Sequence, residues 1–137
     1  MRNIIVLLLT TMALLLSSQK VNAEERQIEQ NELPKSAQFI LASHFADSQI
    51  NTVSITDKKD GYRVKFIDKT VILFNVIGDW VSIDCQNSPI PFMLVPSWIR
   101  NQIAEKFGPK AYPVKMDKNK KKKIRLKLDN GIELEMK

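Results

Sequence analysis

Apolar residues recur at helical spacing in two stretches of this chain that lie 62 residues apart. The first stretch follows Leu33-Pro34 and ends near Phe45, and the second follows Val95-Pro96 and ends at Phe107. Proline suits the first turn of a helix because the amide hydrogen that it lacks would have no partner there. In each stretch three apolar residues share one helical face, Ala37, Leu41 and Phe45 in the first, and Ile99, Ile103 and Phe107 in the second. The pattern predicts two helices that are copies of one unit.

Alternation of apolar and polar residues predicts strands downstream of both helices. Residues 62–66 alternate, and so do residues 124–128, again 62 positions later. A strand over 132–136 follows the second of these across a turn. A two-residue turn at Asn130-Gly131 would mix apolar and polar faces, whereas a three-residue turn, Asp129-Asn130-Gly131, keeps them apart. We therefore expect the three-residue turn, with Gly131 in a left-handed conformation.

This turn fixes the register of the second hairpin. Its apolar pairs are Leu128–Ile132, Leu126–Leu134 and Ile124–Met136. On the other face, Lys127 lies opposite Glu133 and Arg125 lies opposite Glu135, so that opposite charges meet across the strands.

The first hairpin has a second strand over 71–74, which is apolar on both faces. It superposes on 132–136 at an offset of 61, which implies one more residue in the turn of the first hairpin than in that of the second. On this alignment Val71 and Leu73 face the core, and Ile72 and Phe74 face the open side of the sheet. Which side chains of this strand face the core depends on the length of the turn around residues 68–70.

A third strand, Trp80 to Cys85, follows the turn at residues 77–79, and the second repeat has no counterpart to it. The element order is α-β-β-β-α-β-β, with short extra strands near Val53 and Val114. This order predicts an α+β fold in which two helices pack on one face of an antiparallel sheet. We assign residues 33–137 to a single domain made of two repeats, 33–92 and 93–137.

The N-terminal segment has the features of a cleavable signal peptide over residues 1–23. One positive charge precedes an apolar run from Ile4 to Leu16, and Val21-Asn22-Ala23 supplies small residues for cleavage. The run is shorter than the roughly 20 residues of a bilayer span, although an uncleaved anchor is the alternative. No cysteine follows the run, which argues against a lipoprotein. We expect a periplasmic or secreted protein that contacts the membrane only before cleavage, with a flexible leader over residues 24–32.

Charge is divided unevenly along the predicted mature chain. Residues 24–92 carry 7 basic and 10 acidic side chains, whereas residues 93–137 carry 12 basic and 5 acidic ones. Much of the basic excess comes from one run, Lys118, Lys120, Lys121, Lys122 and Lys123. Such a run is typical of a solvated hairpin end, and the alternative is an anion-binding site for acidic lipid or polysaccharide. No aromatic residue is interleaved with the lysines, which disfavours binding of nucleic acid.

The residues that carry chemistry are few and scattered. Cys85 is the only cysteine, which we interpret as a small buried apolar residue, with a reactive thiol as the alternative. His44 is the only histidine, and it has no second metal ligand at useful spacing. Residues 57–61 faintly suggest a calcium loop, but two lysines within them favour a polar turn. We predict no cofactor, no metal site and no enzymatic activity.

The candidate partner-binding residues lie on the predicted open side of the sheet. They are Arg63, Lys65, Ile72, Phe74 and Trp80. An apolar patch bordered by charge is typical of a protein-binding surface. The alternatives are that the leader or another strand covers the patch, or that a second copy of the chain covers it by self-association. Phe39 and Trp98 lie off the shared helical face and are expected to fill the seam between the helices.

These motifs together resemble the beta-lactamase-inhibitor-like, PepSY-like family of small exported bacterial proteins. The residues that carry the resemblance are Leu33-Pro34 before a helix ending in His44-Phe45, Gly78-Asp79-Trp80 leading to Asp84-Cys85, and Val95-Pro96 before a second helix. The resemblance implies a tandem α+β fold and no catalytic activity. It also implies a role in binding or restraining another exported protein, such as a protease, through the open face of the sheet. Thr70 stands where family members commonly have a glycine.

Overall fold

The segments in which apolar and polar residues alternate form strands of one antiparallel sheet. Every strand of this sheet pairs with its neighbours in the sequence. The computed structural model describes residues 25–119, 121 and 123–136, so the predicted signal peptide lies outside the described residues. The strands are β1 (Arg26–Gln27), β2 (Ile50–Ile55), β3 (Gly61–Phe66), β4 (Val71–Asn75), β5 (Trp80–Asp84), β6 (Pro113–Lys118), β7 (Ile124–Leu128) and β8 (Glu133–Met136). The helices are α1 (Lys35–His44) and α2 (Ser97–Phe107), each preceded by a 3₁₀ turn, at Gln30–Glu32 and Phe92–Leu94.

The apolar faces of both helices pack on one face of the sheet, as the helical spacing predicts. Ala37 and Leu41 of α1 and Ile99 and Ile103 of α2 are buried in one continuous core with the inward side chains of the strands. The α+β fold class is therefore confirmed. Phe39 and Trp98 do not fill a seam between the helices, because their side chains are 69% and 40% exposed.

The second hairpin has the predicted register. Lys127 pairs with Glu133, Leu126 with Leu134, and Ile124 with Met136. The amide of Leu128 donates to the carbonyl of Ile132 at 2.9 Å, which closes a three-residue loop. Gly131 has a φ of +87°, the left-handed conformation that this loop requires.

The first hairpin does not have the predicted register, and the offset of 61 is wrong. Val64 pairs with Ile72 and Arg63 with Leu73, so Ile72 and Phe74 face the core and are 0% and 2% exposed. The reason is the turn, which also has three residues and keeps the offset at 62. The amide of Phe66 donates to the carbonyl of Thr70, and Lys69 takes the left-handed position with a φ of +76°.

Trp80 is also a core residue rather than a residue of the open side. Leu73 pairs with Ser82, but Phe74 pairs with Trp80, so β5 carries one extra residue, Val81, at a β-bulge. The bulge keeps Trp80 on the same face as Ile83, and Trp80 is only 8% exposed. Cys85 is buried on that side as well.

The repeated unit is larger than the sequence pattern suggests. Residues 25–32, predicted as a flexible leader, contain β1 and the first 3₁₀ turn, which lies 62 residues before the second 3₁₀ turn. Strand β1 pairs with β2 just as β5 pairs with β6. The chain therefore contains two copies of one unit, β-3₁₀-α-β-β-β, which run from β1 to β4 and from β5 to β8. On this division β5 belongs to the second unit, and the second unit has its full set of strands.

Candidate functional site: the open face of the sheet

Side chains that point away from the helices form the open face of the sheet, which the strand registers arrange in two parallel rows. The first row is Ser54, Arg63, Leu73, Ser82, Asp117, Arg125 and Glu135. The second row is Thr52, Lys65, Val71, Asp84, Lys115, Lys127 and Glu133. Adjacent strands lie about 4.8 Å apart, so rows that cross seven strands extend over roughly 29 Å. The open face is thus a broad surface to which both units contribute.

The centre of the open face is apolar. Val71 and Leu73 of β4 are half-buried and project from the same side of the sheet. Lys65 and Arg63 lie beside them on β3, and Ser82 lies beside Leu73 on β5. The apolar patch bordered by charge therefore exists, but different residues of β4 form it from those predicted. Had the offset of 62 been carried through the first turn, the sequence would have identified Val71 and Leu73.

The chain segment before β1 contacts side chains at one end of the open face. The carboxylate of Glu25 pairs with the guanidinium of Arg63. The hydroxyl of Ser54 donates to the same carboxylate at 3.4 Å. Both partners of the ion pair are partly exposed, so its contribution to stability is small, but it fixes the direction of the Arg63 side chain.

At the other end of the open face, charges of opposite sign alternate. Arg125 lies between Asp117 on β6 and Glu135 on β8. The hydroxyl of Ser82 donates to the carboxylate of Asp117 at 2.5 Å. Both rows together carry five basic side chains, Arg63, Lys65, Lys115, Arg125 and Lys127, and four acidic ones, Asp84, Asp117, Glu133 and Glu135. The net charge of the open face is therefore close to zero, although side chains of both signs alternate across it.

Two of the five predicted partner-binding residues, Arg63 and Lys65, lie on the open face. The other three, Ile72, Phe74 and Trp80, are buried in the core and cannot contact a partner there. Residues of β5 to β8 on this face were not singled out by the sequence pattern. Their alternating charges were visible in the second hairpin, but their alignment with β4 depends on the pairing of β5 with β6, which the sequence does not mark.

Of the five predicted anion-binding lysines, the structure describes Lys118, Lys121 and Lys123, and two of these three contact other side chains. The ammonium of Lys118 lies 3.9 Å from the centre of the Trp80 ring, a cation–π contact on the helix side of the sheet. Partial burial there lowers the pKa of Lys118. The ammonium of Lys123 lies 3.8 Å from the carboxylate of Glu135. Lys121 is exposed, and Lys120 and Lys122 lie outside the described residues.

The remaining candidate residues occupy structural positions. Burial raises the pKa of the Cys85 thiol to about 11, so the thiolate form that a nucleophile needs is scarce at neutral pH. Asp60 accepts a hydrogen bond from the hydroxyl of Thr56 within the β2–β3 turn, as expected of a polar turn. The described residues contain no group of three or more histidine, cysteine, aspartate and glutamate side chains that could hold a metal ion. Within the same part of the chain, no helix has the length and apolar character to cross a membrane.

Comparison with known proteins finds a family model and solved structures that are similar to this chain. A family model described as "Putative beta-lactamase-inhibitor-like, PepSY-like" matches residues 60–137. A "putative calcium-regulated periplasmic protein" from Bacteroides thetaiotaomicron is similar in structure, with a TM-score of 0.76 and 25% identity over 83% of this chain and 90% of that one.

Two proteins from Bacteroides vulgatus are similar as well. The first is a putative periplasmic protein of the DUF2874 family, with a TM-score of 0.75 and 30% identity over 81% of this chain and 87% of that one. The second is a putative periplasmic protein of unknown function, with a TM-score of 0.73 and 27% identity over 82% of this chain and 90% of that one. A comparison with curated proteins finds no match.

Proposed function

Because this chain belongs to the beta-lactamase-inhibitor-like, PepSY-like family, we propose that it is a non-enzymatic protein-binding module of the periplasm. In this proposal it holds another exported protein, such as an envelope enzyme, against the open face of its sheet. The periplasmic location is supported by the names of the similar Bacteroides proteins and by the signal peptide predicted for residues 1–23.

The observation that carries the proposal is the composition of the open face. Leu73 and Val71 provide an apolar centre, and charges of both signs surround it in a fixed order. Interfaces have this arrangement, in which a desolvated centre supplies affinity and the charged border supplies specificity. Because the face is nearly neutral, the proposed partner is a protein with its own alternating charges rather than a polyanion.

The alternative function, adhesion to anionic lipid or polysaccharide through the lysine run, has less support. Lys118 and Lys123 are engaged with Trp80 and Glu135, so that two of the five lysines are already held by other side chains. We therefore do not propose this second function. The calcium regulation in the name of one similar protein belongs to that protein, and our proposal includes no calcium step.

Site-specific photo-cross-linking in the native envelope tests the proposal. A photoreactive amino acid at Leu73 should give one discrete adduct with another exported protein, whereas the same amino acid at exposed Gln102, on the helix side, should not. The charge reversal Asp84→Lys should weaken the Leu73 adduct because it disturbs the border of the apolar centre.

Two results would contradict the proposal. One is equal adduct formation from Leu73 and Gln102, which would indicate random encounter. The other is loss of the adduct on the substitution Lys121→Glu but not on Asp84→Lys, which would favour the lysine run. Raising the ionic strength separates the two surfaces further, because binding through a lysine cluster weakens steeply with salt and binding through an apolar centre does not.

A further inference from the structure

A concave surface lies on the helix side of the second unit, away from the open face. It is a groove of about 540 Å³ between the second 3₁₀ turn, α2 and the segment from Pro109 to Pro113. Its walls are mainly apolar and include Ile90, Phe92, Val95, Ile103 and Ala111. A volume of 300–1,000 Å³ is the usual range for sites that bind small molecules.

The charged side chains of the groove are all positive. Arg100 and Lys110 line it, and no carboxylate is among the lining residues in the described part of the chain. The guanidinium carbon of Arg100 lies 3.8 Å from the centre of the Phe92 ring. The Nε atom of Arg100 is buried, and it has no hydrogen-bond partner within the described residues. A buried donor of this kind costs free energy unless an acceptor is supplied.

The first unit offers an internal comparison, because several residues that line a groove there lie 62 positions before residues of this groove. Gln38 stands at the position that matches Arg100, but it does not line that groove; its amide nitrogen donates to the carbonyls of Leu33 at 2.7 Å and of Asn31 at 3.2 Å. Gln30 takes the place of Phe92 in a smaller groove of about 420 Å³. The fold therefore does not require an arginine or an aromatic ring at these positions. The second unit carries a cation and an aromatic ring at two positions where the first unit carries glutamine.

We propose that the groove of the second unit binds a medium-chain aliphatic carboxylate, with the chain along the apolar walls and the carboxylate on the guanidinium of Arg100. A guanidinium matches a carboxylate because two parallel N–H donors can meet its two oxygens. Besides Arg100, the lining residues with polar side-chain groups are Asn101, Lys110 and Tyr112. Three such groups are too few to satisfy the backbone of a bound peptide, which favours a small acid over a peptide terminus.

Calorimetric titration of the exported, purified protein with sodium decanoate tests this site, with decanol as the uncharged comparison. We expect one decanoate per chain and markedly weaker binding of decanol. The substitution Arg100→Gln should weaken decanoate binding about tenfold or more, the loss expected when a charge-assisted hydrogen bond is removed. It should leave the melting temperature of the unliganded protein nearly unchanged, since the first unit carries glutamine at the matching position. Phe92→Gln should weaken both ligands.

Lys106→Gln is the matched control, because it removes one positive charge from an exposed position on the same helix. It should bind decanoate as the unsubstituted protein does. Equal binding of decanoate by Arg100→Gln, equal binding of decanol and decanoate, or no saturable binding of decanoate would each overturn the proposal. These outcomes leave the open face untouched, so that the site in the groove and the proposed partner binding are tested separately.

Discussion

Two adjacent residues of β4, Leu73 and Phe74, test the register on which the open face depends. Phe74 is 2% exposed and pairs with Trp80 in the core, whereas Leu73 is half-buried on the open face. Phe74→Ala removes a ring from a packed interior, which costs about 3–5 kcal/mol. Full burial of a leucine side chain stabilises by about 1.5–3 kcal/mol, so Leu73→Ala at a half-buried position should cost about 1 kcal/mol.

Urea unfolding followed by tryptophan fluorescence measures both costs. With a slope of about 2 kcal/mol per molar urea, Phe74→Ala should lower the midpoint by about 2 M and Leu73→Ala by about 0.5 M. Phe74→Leu keeps most of the volume and should fall between them, which provides a measurable variant if Phe74→Ala fails to fold. A larger loss for Leu73→Ala than for Phe74→Ala would refute the register and, with it, the composition of the open face.

Three further predictions concern other parts of the chain. Burial raises the pKa of the Cys85 thiol from its ordinary value of 9.0 to about 11, so that the folded state disfavours the thiolate. The free energy of unfolding should therefore fall between pH 9 and pH 11 more than in Cys85→Ala, and native Cys85 should react with a thiol reagent only slowly until denaturant is added. Lys69→Gly should stabilise by up to about 1 kcal/mol and Gly131→Ala should destabilise by about 1 kcal/mol, because each loop needs a left-handed residue; urea midpoints that move the other way would contradict the loop assignment. Intact-mass measurement of the exported protein should show Glu24 at the N-terminus, and a retained Met1 would exclude cleavage.

The sequence predicts the second hairpin correctly because its two faces differ. Leu126 and Leu134 alternate with charged residues, so only one register buries the apolar side chains together. Gly131 also marks the left-handed position of the turn. In the first hairpin neither signal is present, since strand β4 is apolar on both faces and a lysine occupies the left-handed position. The internal repeat predicts the correct register of the first hairpin when the offset of 62 is continued through both turns.

The sequence pattern does not predict the features that tertiary contacts determine. Strand β1 has only two residues and becomes visible through its pairing with β2, where the amide of Ile28 donates to the carbonyl of Val53 at 2.9 Å. The bulge at Val81 reverses the expected side of Trp80, and alternation within β5 alone does not reveal it. The difference between Arg100 and its counterpart in the first unit is recognised only when the two units are compared residue by residue. This comparison requires the unit boundary, which the structure provides.

The linear order of the strands has a consequence for solubility. Strands β1 and β8 are the two ends of the sheet, and end strands can recruit the backbone of another molecule and start aggregation. Here both ends are short, with two residues in β1 and four in β8. Glu133 and Glu135 place two negative charges on β8, which would repel a second copy of that strand aligned beside it. The short length of both end strands and the charges on β8 thus limit the addition of further strands at either margin of the sheet.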